Sequence, residues 1–268
     1  MKAASELLER EGINRKGEGF HNMLRRRSDG TPIHPLVLSL TEPESPQLEA
    51  YRRLYRKILY FQQQNGLRSV CITSSQAGEG KTLTALNLAF AMAEDPTKKI
   101  VLVDCDFRRP QVANYLGLRT KPGLAAVIQG GKEICDVLLK VGNSRVQISV
   151  APAGRLQEDL YPFLYSGKLD PILKQLKNDF DFIVVDSPPI LPILDQDFLS
   201  NLVDGILVVI RAGSVSKDQV KTALESMEGK RIIGIVFNGA EKQYSSYYSY
   251  AYGYSYQDKY YRNGQTRG

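Results

Sequence analysis

The run Ser74-Ser75-Gln76-Ala77-Gly78-Glu79-Gly80-Lys81-Thr82 has the residue types needed to hold a polyphosphate. Its glycines let main-chain N–H groups turn inward around phosphate oxygens, and a helix opening at Lys81 would add its positive end. Lys81 can reach the β and γ phosphates, and the Thr82 hydroxyl can ligate Mg²⁺. The strict pattern GxxxxGK[ST] fails at one position, where Ser75 stands for the first glycine. An apolar strand before the loop and a helical pattern after it supply the context that the motif requires.

Two further apolar runs end in carboxylates. Val101-Leu102-Val103-Asp104-Cys105-Asp106 places Asp104 and Asp106 two residues apart, so on an extended backbone they point the same way. Ile183-Val184-Val185-Asp186-Ser187-Pro188-Pro189 ends a second run in a single aspartate, where a metal-assisting Walker B residue stands. A lone strand-end aspartate is commonly a turn or cap residue. Three of them beside a phosphate loop point to metal and proton chemistry.

The third constellation is a cluster of phenols. Nine of the eighteen residues from 244 to 261 are tyrosine: Tyr244, Tyr247, Tyr248, Tyr250, Tyr252, Tyr254, Tyr256, Tyr260 and Tyr261. They form an array of possible phosphoryl acceptors. A phenol of pKa near 10 is a poor nucleophile until it is hydrogen-bonded to a base. Taken alone, alternating tyrosine and serine is also a sticky, stacking-prone composition.

Positioning these groups falls to a repeated alternation of strand and helix. Strands are predicted at Ser69 to Thr73, Ile100 to Asp104, Gln147 to Ala151, Phe182 to Asp186, Gly205 to Ile210 and Ile232 to Phe237. Several are apolar almost throughout, as strands covered on both faces are. Helical stretches at Lys81 to Glu94, Leu169 to Lys177 and Lys217 to Met227 separate them. The alternation predicts an α/β fold with a doubly wound, mainly parallel sheet flanked by helices, in which ligands sit beyond the carboxyl ends of the strands. Ahead of it, Leu48, Tyr51, Leu54, Tyr55, Ile58 and Leu59 recur at three and four, which predicts a helix over Gln47 to Gln63 with one buried stripe.

Composition bounds the rest. At 268 residues, with 43% hydrophobic and 24% charged content, the chain suits one compact domain with flexible ends. Residues 1–44 read as a short helix at Ala3 to Arg10 followed by a linker, residues 45–240 as the folded domain, and 241–268 as a disordered tail. No run reaches the roughly eighteen apolar residues of a membrane helix, and the first thirty lack a signal-type core, so a cytoplasmic protein without its own membrane segment is expected. Cys71, Cys105 and Cys135 show no ligand spacing and are assigned to packing. Part of the net charge of +6 lies in Arg25, Arg26, Arg27 and in Arg52, Arg53, Arg56, Lys57. Such runs can face acidic lipid, nucleic acid or an acidic partner, but a solvated helix face is the simpler expectation.

At SSQAGEGKT, LVDCDFRRP, IVVDSPP and the tyrosine cluster, the chain resembles the bacterial tyrosine kinases, relatives of the Min and ParA ATPases within the P-loop class. The resemblance runs from about Ser45 to Glu241 and into the tail. It implies a P-loop fold and an ATP- and Mg²⁺-dependent autokinase that phosphorylates its C-terminal tyrosines, with transfer between subunits. Residues Gln76, Ala77, Gly78, Glu79, Gly80, Lys81 and Thr82 would hold the phosphates, with Asn238 near the base. Thr82, Asp106 and Asp186 would hold the metal, and Asp104 would orient or deprotonate the phenol, although the roles of Asp104 and Asp106 are interchangeable in the sequence. Arg211 stands at the end of the strand before Asn238, where an exposed surface arginine is the simpler expectation.

The resemblance further implies a role in polysaccharide synthesis or export, recruitment to the membrane by an anchored copolymerase or activator, and self-association. Other tyrosine substrates are possible. The family's assembly motif ExxRxxR is altered here: Glu49 and Arg52 are present, Tyr55 takes the second arginine's place, and Arg56 lies next to it, about 100° around the helix. Two readings compete. A Min/ParA-like ATPase shares the fold, but its signature lysine position is Gln76 here. A non-enzymatic, nucleotide-responsive regulator would use the tail for adhesion. Nucleic-acid binding ranks last, because the tail carries only Lys242, Lys259, Arg262 and Arg267 as cations.

Overall fold

A computed structural model describes residues 33–118, 122–154, 167–191 and 195–240. The predicted helix at Ala3 to Arg10, the arginines 25–27 and the nine tail tyrosines lie outside the described residues.

Seven strands form one sheet in the order β3-β4-β2-β5-β1-β6-β7. They are β1 (Ser69–Ser74), β2 (Ile100–Asp104), β3 (Leu139–Gly142), β4 (Gln147–Ala151), β5 (Phe182–Asp186), β6 (Gly205–Arg211) and β7 (Ile232–Asn238). All neighbours run parallel except β3, which pairs antiparallel with β4. The central strands β1, β2 and β5 are buried at every residue; β2 and β5 are apolar up to their final aspartate, as strands covered on both faces are, while β1 buries Ser69, Thr73 and Ser74 as well. Their carboxyl ends share one edge of the molecule, with Asp104 directly opposite Asp186 in the β2–β5 register.

Helix α1 (Leu38–Thr41) and α2 (Pro46–Asn65) precede the sheet. Local chemistry sets both ends of α2: the Ser45 hydroxyl accepts from the Leu48 N–H, Pro46 takes the first turn, and Gly66 closes it in the left-handed region. Helix α3 (Lys81–Met92) follows the phosphate-type loop and is buried on nearly every side, between the sheet and α2. Leu86, Leu88, Phe90 and Met92 are fully buried there. Each contributes about 1.5–3 kcal/mol by leaving water. Short helices α4 (Val112–Tyr115), α5 (Leu124–Ile128) and α6 (Ile134–Val137) follow β2. Helices α7 (Leu169–Asp179), α8 (Asp195–Ser200) and α9 (Lys217–Glu225) complete the βα alternation. One apolar cluster lies between the sheet and α3, and a second, joined by α5, α6, α7 and α9, lies on the opposite face.

Three expectations need correction. The sequence predicts six strands, and β3 is a seventh that its four-residue pattern LKVG is too short to reveal. Order begins before Ser45: Ile33 and Val37 are buried in the core, so the linker reading fails over its last part. That segment is held by Asn87 on α3, whose side-chain oxygen accepts from the Leu38 N–H at 2.8 Å and whose amide donates to the Leu36 carbonyl at 2.9 Å. Replacing Asn87 by alanine strands both groups, at a cost of about 1–3 kcal/mol. Finally, Cys71 and Cys105 pack in the interior as expected, but Cys135 is exposed.

Candidate active site

The loop from Ser75 to Thr82 is built around one carboxylate. Glu79 is 1% exposed. Its Oε2 accepts the Ser75 hydroxyl and the Gln76 N–H, each at 2.7 Å, and its Oε1 accepts the Arg211 N–H at 3.1 Å. Ser75 therefore occupies the first glycine's place for a reason: it has no positive φ and supplies a hydroxyl to this staple. Gly78 and Gly80 do require glycine, with φ of +89° and +93°. A side chain at Gly80 would also collide with the Asn238 amide.

The ends of β6 and β7 close over the loop. Asn238 donates its amide to the Glu79 carbonyl at 2.8 Å, and the Arg211 guanidinium donates to the Gly78 carbonyl at 3.3 Å. Arg211 is half-buried, and though its guanidinium stays partly open to solvent it forms part of the loop's frame, which adds to the sequence expectation of a plain surface arginine. From below, the Ile190 and Leu191 N–H groups donate to the carbonyls of Ser74 and Ser75. Ala77 and Gly78 remain exposed. The first N–H groups of α3 have no partner within the helix, and an anion fits there.

Lys81 lies at the centre of the acidic groups. Its ammonium is 2.7 Å from Asp106 Oδ2 and 3.5 Å from Asp186 Oδ1, and it donates to the Thr82 hydroxyl at 3.3 Å. Burial opposes the Lys81 charge, but Asp186 and Asp106 outweigh burial and the net shift is upward. Burial pushes the Asp186 carboxyl up to about 6, with Lys81 and the Thr82 hydroxyl working against it. Burial, then the charge of Asp186, holds Asp104 well above the usual carboxylate range.

The two aspartates after β2 are not equivalent. Asp104 has no exposed surface, and its oxygens accept the N–H groups of Asp106 at 3.1 Å and Val112 at 3.3 Å. Asp106 gives one oxygen to Lys81 and the other to the Arg109 N–H at 3.0 Å. Both also act as turn and cap residues. Asp186 differs again: its Oδ2 is buried without a hydrogen-bond partner.

Among the described residues no three carboxylate, histidine or cysteine groups form a self-sufficient metal cage. The donor set nevertheless fits Mg²⁺. An unpartnered carboxylate oxygen beside the Thr82 hydroxyl offers hard oxygen ligands, and Mg²⁺ is typically held by one or two carboxylates together with substrate phosphates. Asp106 and Asp186 against one lysine leave a surplus of negative charge for a cation to neutralise.

On α2, Glu49 meets both arginines, Arg56 at 2.9 Å and Arg52 at 3.5 Å. The side step from Tyr55 to Arg56 therefore does not cost the pair its shared glutamate. Arg52 is tied further, by bonds of 2.7 and 2.8 Å to Glu94 and one of 3.0 Å to the Pro43 carbonyl. Tyr55 packs, half-buried, against the core. That the Glu79 carboxylate frames the loop by accepting the Arg211 main-chain N–H was not evident from sequence, because the bond spans 132 residues.

Comparison with known proteins supplies the family. Residues 67–230 match the AAA domain family AAA_31. The tyrosine-protein kinase YwqD of Bacillus subtilis (strain 168) is 30% identical over 230 residues, covering 85% of this chain and 96% of the relative. The kinase domain of the Escherichia coli tyrosine kinase ETK superposes with a TM-score of 0.73 at 23% identity, covering 87% of this chain and 94% of that one. The chimerical protein CapA2B2 gives a TM-score of 0.72 at 25% identity, over 80% and 96%. With its phosphate loop, three strand-end aspartates and this relationship over most of its length, the chain belongs to the bacterial tyrosine kinases of the P-loop class.

Proposed function

We propose that this kinase uses Mg²⁺-ATP to phosphorylate the tyrosines of residues 244–261, between subunits of a homo-oligomer. The observation that carries this reading is the Lys81 bridge: one ammonium neutralises Asp106 and Asp186 at the foot of a loop shaped for phosphate.

Phosphate oxygens seated on residues 76–82 offer Lys81 a competing set of anions. As its ammonium turns toward them, Asp106 Oδ2 loses its partner. Asp106, rather than the sealed Asp104, is then the carboxylate available to an incoming phenol, and Asp104 is a positioning residue that holds the turn of 105–112. The phenol oxygen bonds the γ-phosphorus, the bond to the bridging oxygen breaks to leave ADP, and the phenolic proton passes to Asp106. Thr82 and Asp186 are the residues that would hold Mg²⁺, which would supply charge neutralisation to the nucleotide phosphates. Everything else is positioning, which is most of what phosphoryl transfer requires.

Beyond the chemistry, the family resemblance supports a place in the synthesis or export of an extracellular polysaccharide. No described helix is long and apolar enough to cross a membrane. An anchored partner that recruits and activates the kinase is part of this reading, on the strength of the family resemblance. Self-association through α2 would rely on the Glu49–Arg56 pair, whose arginine side chain is 64% exposed, because Arg52 is further tied to Glu94 and the Pro43 carbonyl.

The test is incubation with Mg²⁺-ATP and phosphotyrosine mapping by mass spectrometry, beside Lys81→Met and a chain ending at Glu241. Phosphate on tyrosines 244–261 of the native chain and on neither variant is the expected result. Vigorous ATP hydrolysis without tyrosine phosphate, in the presence of the anchored partner, would return the protein to the ATPase reading.

A further inference from the structure

The two edges of the sheet are guarded unequally. At one edge β3 is four residues long and carries Lys140. At the other, β7 runs for seven residues, Ile-Ile-Gly-Ile-Val-Phe-Asn, with neither charge nor proline. A long uncharged edge presents a row of unpaired N–H and C=O groups, which proteins ordinarily blunt or cover. It is apolar as well: Ile235 is 42% and Phe237 68% exposed. Their register partners Val208 and Ile210 are buried in the second core cluster, so both stand on that cluster's face of the sheet. Among the described residues, nothing covers the exposed part of either side chain.

The segment C-terminal to β7 has the complementary pattern. Tyr248, Tyr250, Tyr252, Tyr254 and Tyr256 are separated by the single small residues Ser249, Ala251, Gly253 and Ser255. A period of two puts every phenol on one face of an extended strand and every small side chain on the other. No charge stands between Lys242 and Asp258. The chain leaves β7 after Asn238 through Gly239, whose φ of +68° lets the backbone change direction there. Residues 239–247 span roughly 30 Å when extended, against roughly 23 Å for a seven-residue strand, so the connection is long enough to turn back.

We propose that β7 is the docking edge for the unmodified tyrosine segment of the same chain. Residues 248–256 add to it as an antiparallel strand, phenols over Ile235 and Phe237 and small side chains on the other face. Main-chain bonds supply the affinity and the alternating side chains the register, as in other strand additions. A tether this short holds the segment at an effective concentration on the order of millimolar, which favours it over the same edge of a second copy. Release rests on the kinase reading: each phosphate adds about −1.5 to −2 charges to the apolar contact, so phosphorylated tyrosines leave the edge.

Docking is measurable without ATP, so its failure and failure of the kinase reading are separable. Amide hydrogen exchange over residues 232–238 is compared in the full chain and in a chain ending at Glu241, at two protein concentrations. The chain has no tryptophan. Phe237→Trp therefore adds a single fluorescent reporter at an exposed position that a fold-neutral change tolerates.

In the full chain, exchange at this edge is expected to be about tenfold slower and concentration-independent. The indole emission should be blue-shifted, and truncation, or serine at the five alternating tyrosines, should abolish both effects. Equal exchange in the full and truncated chains would overturn the proposal. So would protection that survives truncation and grows with concentration, which would assign the edge to a second copy. Protection that persists after tyrosine phosphorylation would overturn the release step.

Discussion

The ends of the inner strands and the outer strand β7 solve opposite problems with the same backbone. At β1, β2 and β5 the chain ends in buried polar groups, and almost every one is tied: Glu79 to three donors, Asp104 to two, Asp106 to Lys81 and Arg109. Asp186 keeps one oxygen without a partner. At β7 the side chains are uncharged and, up to Asn238, apolar, and two of the larger ones face solvent. Crowded polarity is expensive to maintain and fixes geometry to tenths of an ångström. Bare apolar surface costs little where it stands and fixes nothing until something lies on it. The first is suited to chemistry on a phosphate, and the second to a contact that forms and releases.

The largest expected effect comes from removing the charge at the crowded end. Lys81→Met takes away both the phosphate contact and the counter-charge, and should lower tyrosine phosphorylation about 10²–10³-fold. Binding of ATP, followed by calorimetry, should weaken in parallel. If phosphorylation survived at near-native rate, the difference between the two ends would lose its functional meaning.

Glu79→Ala tests whether the loop is held by its carboxylate or merely by its glycines. Loss of the carboxylate leaves the Ser75 hydroxyl and the N–H groups of Gln76 and Arg211 without acceptors, which should destabilise the fold by about 2–4 kcal/mol in urea unfolding. Glu79→Gln retains one acceptor oxygen and should cost less. Because the loop rather than the reacting group is loosened, KM for ATP should rise more than kcat falls.

Asp186→Asn separates stability from activity. The folded-state pKa of Asp186 is raised from 3.8 to about 6, so the folded protein binds this proton more tightly than the unfolded chain does. Stability from that proton is present below about pH 4 and is lost as the pH rises through about 6. A shift of roughly two units corresponds to about 2–3 kcal/mol. The ATP-free asparagine variant should therefore be more stable than the native chain at pH 8 by about that amount, with the gain vanishing near pH 4, while losing kinase activity. Urea midpoints at pH 8, 6 and 4 measure it; a variant less stable than native at pH 8 would show that Asp186 is held by its neighbours rather than strained by them.

Sequence made the crowded end more legible than the bare one, for a physical reason. Runs such as Phe182–Asp186 are apolar because both faces of an inner strand are covered, and that pattern is local. So is the spacing that marks Gly78, Gly80, Lys81 and Thr82. What escaped depends on distant partners. Segment 33–41 has no periodicity, and its anchor Asn87 lies 49 residues from Leu38. Glu79 is recognisable as a staple only once Arg211, 132 residues on, is brought beside it. Strand β3 is too short for a pattern, although the turn after it is signalled by Asn143, whose side chain accepts the N–H groups of Arg145 and Val146. Nor does the apolar run Ile232 to Phe237 reveal that it is an edge, because strand order is not written in any one strand.

The smallest expected effect lies at that edge. In a chain ending at Glu241, Phe237→Ser removes a ring that is 68% exposed and that no described residue covers, so stability should stay within about 0.5 kcal/mol of the unmutated truncated chain. A core phenylalanine such as Phe90, fully buried, should by contrast cost about 3–5 kcal/mol on replacement by alanine. The contrast becomes sharper in the full-length chain. If residues 248–256 lie over Phe237, the same serine substitution uncovers apolar surface that docking had removed from water, and its cost should exceed that in the truncated chain. Equal costs in the two chains would leave β7 as an unused edge; a larger cost with the tail present makes Phe237 a contact residue, and the cheapness of the substitution in the truncated chain shows that the contact is reversible.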